Sequence, residues 1–261
     1  MVRRPSPVLN RRRRRRRRPG AGTAALLTPL VALAYFLAAP ALPALPAGDV
    51  ETLVAGGVGL VMIAASALAI VPAAHSLFGP LLIGLGAGLI VGALNAGGAG
   101  GVGAGANVAE AMLAAAVGLL FARWLETRVV AIAVPIIVAG IDVWSVASGP
   151  ASKLLDNGTD TVDPLSFDLP AWGGMGSAGH LGVSDAFFLS MFAAWSWRYG
   201  LRRGPTMIGM TLGLVASLGV SVALDRAIPA LPLIAAGYLL PNLDRIPALL
   251  RGPEAPEAAA A

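Results

Sequence analysis

The sequence holds no cysteine in 261 residues, and its only histidines are His75 and His180. Disulfides, thiolate nucleophiles and thiolate metal sites are excluded, and two imidazoles are too few for a histidine-rich metal cage. Charge is scarce too. Only 13% of residues are charged, about half of the roughly 25% usual in a soluble domain. In its place stand apolar residues, 56% of the chain, with a mean hydropathy of +0.75. This composition excludes a single soluble domain, a disordered chain and a coiled coil, and it makes a polytopic membrane protein the expected class.

The net charge of +5 belongs to one segment. Ten of the nineteen basic residues are Arg3, Arg4 and Arg11 to Arg18, so the rest of the chain carries nine basic residues against fourteen acidic ones. No aromatic residues interleave the arginines, so nucleic acid is not an expected partner. The segment 1–20 reads as an Arg-rich cytoplasmic tail held against anionic membrane lipid.

Apolar stretches of spanning length lie at about 21–46, 52–72, 77–97, 103–123, 129–148, 181–198, 205–224 and 227–247. At roughly 1.5 Å per residue each is long enough for about 30 Å of hydrocarbon. They lack the period-two alternation of barrel strands, so helices are expected. The first has a longer apolar core than a secretory signal, which favours a retained anchor. The expected fold is all-α: a polytopic transmembrane bundle of about eight helices. N-terminal transmembrane helices occupy 21–128 and a second group 129–247, with an external loop at about 149–180 and a disordered tail over 248–261. Basic residues flanking the helices set the orientation. Arg123, Arg128, Arg198, Arg202, Arg203, Arg245 and Arg251 fall on the side of the tail, and Asp49, Glu51, Asp156, Asp160, Asp163 and Asp168 on the other. Both termini are therefore expected in the cytoplasm, and the membrane is expected to be a prokaryotic cytoplasmic membrane.

Glycines at four-residue spacing, Gly84, Gly88 and Gly92 in the third stretch and Gly209 and Gly213 in the seventh, are candidates for close helix approach. Gly97 to Gly105 has no preceding strand and no following Gly-Lys-Ser/Thr, so it reads as a flexible connection and not a phosphate loop. Trp124, Trp195 and Trp197 fall where interfacial anchors are common. Packing is the expected role of Trp144. The acidic loop lacks EF-hand spacing, and no metal or cofactor is expected.

Carboxylates inside apolar stretches are expensive and therefore mark function. Asp142 lies about 9 Å from the outer end of the fifth stretch and Asp185 about 6 Å into the sixth. The two helices are consecutive and antiparallel, so the aspartates fall at similar depth. Two carboxyl groups close together in low dielectric share one proton. One then polarises a carbonyl while the other takes a proton from water. Two separate structural aspartates are the alternative. Glu110, at comparable depth in the fourth stretch, is a candidate auxiliary group.

The stretch Gly140-Ile141-Asp142-Val143-Trp144-Ser145-Val146, with Gly149-Pro150 after it, resembles the first catalytic helix of presenilins and signal peptide peptidases, the GxGD-type intramembrane aspartyl proteases. Leu181-Gly182-Val183-Ser184-Asp185-Ala186-Phe187-Phe188 resembles their second motif. Pro229-Ala230-Leu231-Pro232 is similar to their Pro-Ala-Leu-Pro signature, although the same letters recur twice within 40–46. The resemblance covers about 129–247 and is that of a divergent member. Ile141 stands where the family has Tyr, Ser184 where it has Gly, and five stretches precede the loop where the family has six.

The resemblance implies a membrane-embedded protease that cuts transmembrane or signal-peptide helices, with Asp142 and Asp185 as its catalytic dyad. Gly182, Ser184, Pro229, Ala230, Leu231 and Pro232 would shape the substrate site. The segment before Asp185 would offer a strand edge to an unwound substrate. The sense of the two helices resembles signal peptide peptidases, whose substrates would have cytoplasmic N-termini. A non-proteolytic relative that binds transmembrane helices and a small proton-coupled transporter using Glu110 are the rival readings.

Overall fold

The computed structural model describes residues 21–96, 104–148, 166–174 and 176–251, and 79% of it is helical. Helix α1 is Ala21–Ala38. Helix α2 runs over Asp49–His75 and includes a π-helical turn at Thr52–Gly56 and a 3-10 end at Val71–His75. Then come α3 (Phe78–Ala96), α4 (Ala104–Trp124) and α5 (Arg128–Ser148). A hairpin of β1 (Ser166–Pro170) and β2 (Ser177–Gly182) leads directly into α6 (Val183–Arg198). Helices α7 (Arg203–Leu224), α8 (Leu231–Leu239) and α9 (Ile246–Arg251) complete the chain.

Among the described residues four helices are long and apolar enough to cross a membrane: Asp49–His75, Ala106–Trp124, Arg128–Ser148 and Arg203–Leu224. Helices α1, α6 and α8 are shorter than the spans expected there, and proline and the hairpin account for the difference. Pro40, Pro43 and Pro46 offer no backbone N–H, and regular structure after α1 ends at a 3-10 turn, Ala39–Ala41. Pro229 and Pro232 delay the start of α8, and Pro241 falls in its closing 3-10 turn, Leu240–Asn242. Helix α6 is short because β2 takes the residues before Val183. Gly200, at φ +67°, ends α6 in the left-handed conformation that glycine adopts without penalty, and the Leu201 N–H bonds the Ser196 carbonyl at 3.0 Å. Helix α9 carries regular structure to Arg251, into the segment expected to be a disordered tail.

Helix α4 packs along α6, and α1, α2 and α3 lie against it. The α4–α6 seam is closed by hydrogen bonds as well as by area: Ser190 Oγ donates to the Ala115 carbonyl (2.9 Å) and Trp195 Nε1 to the Ala122 carbonyl (3.2 Å). Trp195 is wholly buried and stacks on Phe192, which in turn meets Tyr238. It is therefore a core residue and not the interfacial anchor expected, whereas Trp124 is 84% exposed. Trp144, expected to pack, is exposed.

Helix α8 is held between α7 and α5, and its Ile234 and Tyr238 join the same core as α4 and α6. Close approach was expected at Gly209 and Gly213 and occurs there. A Cβ at Gly209 would sit 2.6 Å from the Gly237 carbonyl oxygen, and one at Gly213 would collide with the Leu233 carbonyl. Gly88 and Gly92 have nothing within 4 Å of a built Cβ, and at Gly84 the contact is ordinary, so the α3 glycines form no such seam. The tightest approach between α4 and α6 is at Gly118, where a Cβ would collide with the Phe187 carbonyl and Ser190 Oγ.

Candidate functional site

The hairpin alternates as a half-buried strand pair should. Phe167, Leu169 and Leu181 are buried, while Asp168 and His180 are cross-strand partners joined Oδ1 to Nδ1 at 2.8 Å. Asn107 Nδ2, from α4, donates to the Asp168 carbonyl at 2.9 Å. At the far end Trp172 Nε1 donates to Tyr35 Oη (3.0 Å), and Tyr35 Oη to the Ala55 carbonyl (3.0 Å). From sequence this region is expected to be part of an external loop, and the structure instead holds a hairpin here. The alternation is only five residues long in β1, too brief to stand out beside runs of twenty. Residues 149–165, with Asp156, Asp160 and Asp163, lie outside the described residues, as do the tail 1–20 and most of the connection 97–105.

The hairpin delivers the chain to Asp185. Gly182 is the N-cap of α6 in extended geometry (φ −65°, ψ 139°), so Asp185 is the third helical residue. Its carboxylate turns back to the backbone N–H of Gly182, and a Cβ on Gly182 would sit 3.2 Å from Asp185 Oδ2. This is the reciprocal half of a capping box, in which the third residue satisfies an otherwise unpaired amide.

Asp142 reaches a helix start as well, in a different helix from its own. Its Oδ2 accepts the backbone N–H of Leu231 at 3.0 Å. Leu231 is the first residue of α8, so this amide has no partner within its own helix. Pro229-Ala230-Leu231-Pro232 thus lies against Asp142. Pro229, Ala230 and Pro232 are half-buried and Leu231 is buried.

The carboxylates of Asp142 and Asp185 come within electrostatic range of each other, and both residues are half-buried. Each therefore faces backbone donors at the positive end of a helix, with the other acid across the gap. Ser184 is exposed between Gly182 and Asp185. Ile141, beside Asp142, is exposed as well. Glu110 feels the charge of Asp168 on the hairpin, whose carbonyl Asn107 bonds and whose carboxylate meets His180. Among the described residues no group of three or more His, Asp or Glu side chains is arranged to hold a metal.

The chain matches no family model, no curated protein and no solved structure. The coordinates define a mostly helical chain with four described helices long and apolar enough to cross a membrane, and two aspartates from separate helices within electrostatic range of each other.

Proposed function

We propose that this chain is a polytopic membrane protein of about eight helical passes and acts as an intramembrane aspartyl protease with Asp142 and Asp185 as its dyad. The observation that carries the reading is the approach of these two carboxylates from α5 and α6, each at a helix N-terminus. One carboxylate takes a proton from water, and the water oxygen attacks the scissile carbonyl carbon. The protonated partner donates its proton to the carbonyl oxygen, giving a neutral gem-diol. Collapse breaks the C–N bond as a carboxyl group donates a proton to the leaving nitrogen. No metal or thiol enters the cycle. The Leu231 bond occupies one lone-pair direction of Asp142 and fixes the carboxylate, leaving its other oxygen for water.

Orientation follows from the basic end of the bundle. Arg123, Arg198, Arg202, Arg203 and Arg245 join neighbouring loops there through bonds to Ala74, Glu126, Asp244, Trp197 and Gly200. That end is assigned to the cytoplasm. Substrates in this reading are single transmembrane or signal-peptide helices.

The test is cleavage of a tagged signal-peptide helix by the protein in lipid vesicles, beside Asp142→Asn and Asp185→Asn. Loss of about 10²-fold or more in both variants is expected for removal of either acid–base partner. Cleavage that survives either change sinks the dyad. Binding of the helix without cleavage by the parent moves the assignment to a non-proteolytic helix-binding protein.

A further inference from the structure

A cavity of about 240 Å³ opens at the basic end, where α2, α4 and α6 finish. It lies outside the aspartate site. Its walls combine apolar groups, among them Val71 and Leu119, with His75, Arg123, Trp197 and Arg198. The polar atoms there are nearly all donors. Arg123 is held by one bond, Nη1 to the Ala74 carbonyl at 3.0 Å, and no carboxylate pairs with it among the described residues. His75 presents Nδ1 to the Pro72 carbonyl at 2.8 Å, which puts its proton on that nitrogen and leaves Nε2 free. Arg198 is paired with Glu126, but both side chains are exposed and the pair is weak. Arg203 stacks over the Trp197 ring at 4.6 Å and adds further positive charge.

We propose that this cavity is a phosphate-oxyanion site filled by the headgroup of an anionic phospholipid. The guanidinium N–H groups outnumber the acceptors beside them, His75 Nε2 and the Glu126 carboxylate, and a phosphate oxygen supplies a further one. Helix C-termini carry roughly −0.5 charge each, which works against an anion, and Glu126 offsets Arg198, but Arg123 and Arg203 together outweigh three such ends. The volume is below the roughly 300–1,000 Å³ of sites that enclose whole organic ligands, as suits one end of a longer molecule. Its place, where apolar helices give way to arginines, is headgroup depth, and basic pockets between helices on that side suit phosphate headgroups. The acyl chains would lie along the neighbouring apolar surface, where Phe121 is 40% exposed.

The experiment titrates the full chain in neutral detergent with short-chain phosphatidylglycerol, phosphatidylcholine or inorganic phosphate, reading bound lipid by native mass spectrometry. Saturable phosphatidylglycerol binding is expected, at least tenfold tighter than phosphatidylcholine and weakly displaced by inorganic phosphate at millimolar concentration. Arg123→Gln is expected to weaken it about tenfold, the value of one charge-assisted hydrogen bond. Arg128→Gln, a cation outside the cavity, should leave it unchanged. Equal binding by Arg123→Gln and the parent, or equal affinity for the two lipids, overturns the proposal. Inorganic phosphate binding as tightly as phosphatidylglycerol overturns the lipid as its source.

Discussion

Asp142 is asked to do two things that substitution can separate. As an acceptor it satisfies the first amide of α8, and as an acid it faces Asp185. Asp142→Asn keeps an oxygen for Leu231 and removes the ionisable group. Asp142→Ala also leaves a part-buried N–H without a partner, at a cost of about 1–3 kcal/mol. Denaturant unfolding in detergent should therefore order the proteins parent, Asn, Ala in stability, with both variants inactive toward a helix substrate. Equal stability of the Asn and Ala variants would remove the capping role. The aspartates were legible in the sequence because a carboxylate in an apolar run is conspicuous. The Leu231 amide was not, since a backbone donor has no side-chain signature. Glu110 was conspicuous for the same reason as the aspartates, and it feels the charge of Asp168. Depth along a helix can be counted from sequence, but the side on which a residue faces its neighbours is settled by packing.

Small residues divide sharply among the helix pairs. A methyl at Gly118 has the Phe187 carbonyl and Ser190 Oγ in its way, so Gly118→Ala should cost roughly 1–3 kcal/mol through overpacking of α4 on α6. Gly88→Ala meets nothing and should stabilise by up to about 1 kcal/mol through helix propensity. Comparing the two unfolding midpoints checks both values, and a neutral Gly118→Ala would contradict the seam described. The regular spacing that drew attention to Gly84, Gly88 and Gly92 gave no seam, whereas the isolated Gly118 did. Four-residue periodicity says that a groove exists, not that a neighbour fills it. The hairpin carries its own prediction. Removing the bond from Asn107 to the Asp168 carbonyl by Asn107→Ala loosens β1 from α4 by about 1 kcal/mol, so amide exchange across 166–182 should quicken about fivefold.

At the scale of the molecule, the lack of cysteine makes sidedness simple to read, because any cysteine introduced is unique. Exposed positions at opposite ends, Glu126→Cys and Asp225→Cys, should label in intact cells from opposite sides: Asp225→Cys with an impermeant maleimide, Glu126→Cys only after lysis. Labelling of both from outside would break the orientation proposed. The overall helical class was legible from hydropathy alone, while span lengths were not, because proline and the hairpin cut them short. The way the two acids are carried has a consequence for pharmacology. Asp185 lies on α6 and Asp142 on α5, two helices with little contact between them. A hydroxyl-bearing peptide mimic that bonds both acids would therefore act as a staple between the two helices. It should raise the melting temperature of the whole protein, and that rise should vanish with either aspartate replaced by Asn.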